Sequence, residues 1–77
     1  MTKGMERIIN ELKGEKKKTA IQRLHNENES AKENKKLRLA SDLNNLIFYL
    51  NNPETKPGGV KKEDLSLFEE LKISLAS

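Results

Sequence analysis

The chain contains no cysteine and no tryptophan, a single histidine and only three aromatic residues among 77. Without cysteine neither a disulfide nor a thiolate metal site can form, so a small core has to be held by packing or by association. The shortage of histidine bears on catalysis. A serine or threonine nucleophile needs an adjacent base, and His25 lies in the most polar stretch of the chain. Long apolar runs are also missing: the longest, 46–50, falls far short of the roughly 20 residues that cross a bilayer. Glu6 and Glu11 interrupt the first apolar residues, which is unlike a secretory signal. A cytoplasmic protein without membrane contact is expected.

What is present is charge and helix-forming side chains. Charged residues make up 35% and hydrophobic residues 34%, a polar balance for a globular domain. A chain this short buries only roughly 60% of its unfolded surface when it folds alone, so oligomerisation is the expected support for a marginal core. The net charge of +3 is unevenly spread. Up to Arg38 there are eleven Lys/Arg against six Asp/Glu, net +5, and after it four against six, net −2.

Apolar spacing predicts helices near 5–13, 15–26, 31–51 and 61–75, joined to the last by a loop over 52–60. Met5, Ile8, Ile9 and Leu12 fall at i, i+3, i+4 and i+7, one stripe, with Gly14 placed to stop the helix. At about 100° per residue, Leu12 and Ile21 would lie on opposite sides of an unbroken helix, so a bend at Gly14 lets both face one core. Ala20, Ile21 and Leu24 continue thinly, and then 25–36 offers one apolar residue, Ala31, among several asparagines. Asparagine is poor in helix interiors, and Ser30 with Glu33 matches a capping box; a break at 26–30 is expected. The competing arrangement is one helix over 15–51, which would require a partner chain to cover it.

In the third helix Leu39, Leu43, Leu46 and Leu50 project within roughly 60° of one another, beside Ile47, as a coiled-coil-like seam. Leu37 and Phe48 project to the opposite side. Two apolar faces on one helix imply that one meets its own chain and the other a second chain. Asn52, Pro53, Thr55, Pro57, Gly58 and Gly59 mark the loop. The last helix should bury Leu67, Phe68, Leu71 and Leu75, with Leu65 at the margin and Ile73 directed away.

Other constellations are thin. His25 and Glu29 share a helical face, but two ligands are too few for zinc. Gly58-Gly59 lacks the Lys-Ser/Thr of a phosphate loop. Lys16, Lys17, Lys18 and Arg23, and then Lys32, Lys35 and Lys36, could neutralise phosphates, although interleaved glutamates dilute them and could pair with them at helical spacing. A helix starting at Ser30 would put Lys32, Asn34, Lys35 and Lys36 in the first turns of a recognition helix.

The expectation is an all-α protein: one domain over 1–77, a small bundle of three or four helices, oligomeric. Its expected role is a non-enzymatic protein–protein interaction module that binds its own copies or another protein through Leu37, Leu39, Leu43, Leu46, Ile47, Phe48 and Leu50, as an adaptor, assembly factor or small inhibitor would. No cofactor, metal or small-molecule substrate is expected. The alternative is a nucleic-acid accessory protein that uses the basic front half.

Overall fold

A computed structural model describes residues 3–54 and 58–75; Thr55 and Pro57 of the expected loop lie outside the described residues. These residues form four helices and no strand: α1 (Lys3–Leu12), α2 (Lys17–Glu33), α3 (Leu37–Asn51) and α4 (Lys62–Ser74). α1 buries the predicted stripe, Met5, Ile8, Ile9 and Leu12, and Gly14 ends it at φ +88°, a left-handed conformation that glycine adopts without steric cost. The fourth helix also lies where expected. It buries Phe68 and Leu71, while Leu65, Leu67 and Leu75 pack against the core at its edge.

The middle of the chain departs from both expectations. α2 does not stop at 26–30, nor does a single helix run over 15–51. α2 continues through Asn26, Asn28 and Ser30 to Glu33, and the break falls at 34–36. Ser30 caps nothing. It lies inside α2, and its carbonyl accepts a hydrogen bond from the Asn34 side-chain amide (2.8 Å). The stop is built from Lys35 at φ +58°. The Lys36 N–H donates to the Ala31 carbonyl (2.8 Å) and the Lys35 N–H to the Lys32 carbonyl (3.1 Å), the bond pair of a Schellman motif. A lysine occupies the position that glycine usually fills, so the stop leaves no glycine in the sequence.

What carries α2 past residue 26 is tight packing on α3. Ala20, Leu24, Asn28 and Ala31 are its buried residues, spaced four, four and three apart, a seam that a purely apolar criterion misses at its third position. Asn28 is only 6% exposed, and its side-chain amide donates to the Ala40 carbonyl at 2.7 Å. An asparagine side chain is short, so reaching the main chain of the neighbouring helix requires close approach; Ala31 and Ala40, both buried, permit it. The carbonyl has two lone pairs and can also serve the α3 ladder.

α2 and α3 thus form an antiparallel hairpin, and the seam of α3 closes on its own chain. Leu24, Leu43, Leu46 and Leu50 are essentially fully buried, each side chain contributing roughly 1.5–3 kcal/mol. α4 runs in the same sense as α3: Asp64, near its start, lies within electrostatic reach of Asp42, and Lys72 and Ile73, near its end, line a shallow hollow with Tyr49 and Pro53. The radius of gyration is 11.3 Å, against about 11.5 Å for a compact domain of this length.

Asn28→Asp tests this packing, because it keeps the shape and exchanges the amide donor for a carboxylate facing a carbonyl. Burial raises the folded-state pKa of that carboxyl above its unfolded value, so stability is present at low pH and lost as pH rises through the folded pKa. Urea unfolding should find the variant less stable than Asn28→Ala at neutral pH, with the order reversed near pH 3, where the protonated acid can donate to Ala40. Equal behaviour at both pH values would mean that the amide is not held in the core.

Candidate interaction surface

The outer face of α3 carries the exposed apolar side chains predicted to lie there. Leu37 is 73% exposed and Phe48 is 46% exposed. Ser41 and Asn44, also exposed, lie between them, and at about 100° per residue all four fall within roughly 60° of arc. This face is nearly free of charge. In a chain that is 35% charged, the fifteen residues of α3 include two charged side chains, Arg38 and Asp42, and depletion of charge is a compositional mark of interface cores. The other five expected interface residues sit elsewhere: Leu43, Leu46, Ile47 and Leu50 are in the chain's own core and Leu39 packs at its edge.

Tyr49 belongs to that core, although the leucine seam gave no sign of it. It is 4% exposed, and its ring centroid lies 6.2 Å from that of Phe68. Burial raises the phenol pKa, and the negative charge of Glu69 adds to the effect. Ile73 is the third large exposed apolar side chain, at 82%. It lies on α4, where it lines the hollow with Tyr49, Pro53 and Lys72.

The basic residues do not form one patch. Lys16, Lys17 and Lys18 begin α2, and Lys32, Lys35 and Lys36 surround its end, roughly 24 Å away by helical rise. Arg23, between them, is held by Glu11 (2.8 Å), which also pairs with Arg7 (3.9 Å). Among the described residues the Glu–Lys pairs expected within α2 do not form, and Lys32, Lys35 and Lys36 have no ion-pair partner. Because these lysines stand at the end of α2 and in the following turn, the recognition helix expected to start at Ser30 is absent.

His25 and Glu29 are both exposed on α2, and no group of three or more His, Cys, Asp or Glu gathers among the described residues in a way that could hold a metal ion. None of the described helices is long and apolar enough to cross a membrane. No protein-family model, curated protein or solved structure matches the chain.

Asp42, half-buried at the edge of the α3 seam, has its pKa raised above the usual carboxylate value by desolvation, with Arg38 opposing the shift and Asp64, on α4, adding to it. A carboxyl whose folded pKa is raised favours the folded state below its unfolded pKa, and that contribution is lost as pH rises through the folded value. Asp42→Asn should therefore leave stability unchanged near pH 3 and raise it modestly at pH 7, as read by thermal unfolding. A variant less stable at pH 7 would show that the carboxylate is held by favourable contacts instead.

Proposed function

We propose that the protein is a non-enzymatic helical interaction module that docks a polypeptide on the outer face of α3. The observation that supports this best is the pairing of Leu37 and Phe48 on one exposed, almost uncharged helical face while the opposite seam is fully used by the chain's own core. Fully burying a large apolar side chain is worth roughly 1.5–3 kcal/mol, and a second polypeptide seated on Leu37, 73% exposed, and Phe48, 46% exposed, would recover part of it at each. An adaptor, an assembly factor or a small inhibitor is each compatible with such a face. The second reading, nucleic-acid contact, is favoured by the unpaired Lys32, Lys35 and Lys36 around one turn. It is opposed by their distance from Lys16, Lys17 and Lys18 and by the engagement of Arg23 with Glu11.

A photo-crosslinking amino acid placed at position 48, at 36 in the α2–α3 turn, or at 29 on the outer side of α2 as a control, separates these readings in cells that express the full chain. Protein adducts should form at 48 and not at 29. Absence of protein adducts at 48, or equal adducts at both positions, would remove the α3 face from the account; RNA or DNA adducts from position 36 would favour the second reading.

A further inference from the structure

We infer that the polypeptide seated on the outer face of α3 is a second copy of this chain, packed α3 against α3 in antiparallel fashion about a two-fold axis. This rests on the interaction-module reading and names its partner. The spacing along α3 is symmetric. Leu37 and Phe48 are equally distant from the midpoint between Asp42 and Leu43, and so are Ser41 and Asn44. In a two-fold antiparallel pair, a residue on one side of that midpoint faces its counterpart on the other. Leu37 then covers Phe48 of the second copy and Phe48 covers its Leu37, while Ser41 and Asn44 meet in the middle. A serine hydroxyl and an asparagine amide can each donate and accept, so the two can bond across the axis, and the small serine allows the helices to come close. One helical face thus supplies both halves of the contact.

Charge selects the antiparallel arrangement. Lys35 and Lys36 immediately precede α3 and Arg38 stands in its first turn, while its last turn contains no basic residue. Glu54 lies just beyond its end. A parallel pair would place the basic ends of both copies together. An antiparallel pair places each basic end beside the other copy's α3 C-terminus, where the helix dipole is negative and Glu54 is near. The same polarity argues against a foreign basic or acidic partner along the middle of the face, which offers no charge to match.

The contact is a single helix face, at the small end of specific interfaces, so the dimer is weak and concentration-dependent. Sedimentation equilibrium of the full chain from about 10 µM to about 1 mM should show a monomer–dimer equilibrium. Phe48→Asp and, independently, Leu37→Asp should each weaken it by at least about tenfold with the circular dichroism spectrum retained. Orientation is read from disulfides, since the chain has no cysteine of its own. Ser41→Cys mixed with Asn44→Cys should oxidise to the mixed dimer faster than either variant alone forms its own. Self-pairing of each variant in preference to the mixture, or a dimer unaffected by either aspartate, would overturn the antiparallel contact. A strict monomer up to about 1 mM would overturn the second copy; protein adducts at position 48 alongside that result would leave the interaction module standing with a different partner.

Discussion

The hydrogen bond from the Asn28 amide to the Ala40 carbonyl governs how α2 and α3 approach, and most of the architecture depends on that approach. It binds a side chain of one helix to the main chain of the next, so it fixes distance and register together. A single polar residue in a helical seam is a known means of specifying register at some cost in stability. Here it lies between Leu24 and Ala31, and Ala31 beside it and Ala40 on the facing helix give the two backbones room to meet. Once α2 is seated, the leucine seam of α3 is committed to its own chain, α1 and α4 complete the core, and the side that bears Leu37 and Phe48 is left facing outward.

The local chemistry of the helix ends is less favourable than the packing. The N-cap positions of α2, α3 and α4 are Lys16, Lys36 and Lys61, and none makes a side-chain capping bond. Lysine is neither a capping residue nor electrostatically suited to the positive end of a helix. Lys35 adds a left-handed backbone conformation that costs a non-glycine residue roughly 1–2 kcal/mol. Lys35 and Lys36, with Lys32 beside them, concentrate unpaired positive charge around the α2–α3 turn. In the proposed dimer that charge meets the negative end of the neighbouring α3, which gives the lysines a use that intramolecular stability does not explain.

Where the core is apolar and periodic, the sequence was sufficient: Met5, Ile8, Ile9 and Leu12 identify α1, and Phe68 with Leu71 identify α4. The side on which Leu37 and Phe48 project was legible for the same reason. The α2–α3 boundary was not. Asn28 reads as a helix breaker when isolated and is buried only because a specific carbonyl lies within reach, a fact of tertiary structure. Ser30 and Glu33 imitate a helix start, while the real stop at Lys35 lacks the glycine that normally announces it. The burial of Tyr49 depends on Phe68, nineteen residues away, with no local pattern linking them.

One chain closes its own core and, in the proposed module, keeps the outer face of α3 for a partner. Side-chain NMR spectra recorded at increasing protein concentration test this most directly. The Leu37 methyl and Phe48 ring signals should shift with concentration, while those of Leu24, Leu43 and Phe68 stay dispersed and fixed even in the most dilute sample. Core signals that lose dispersion on dilution would contradict the account, because the core itself would then be shared between chains.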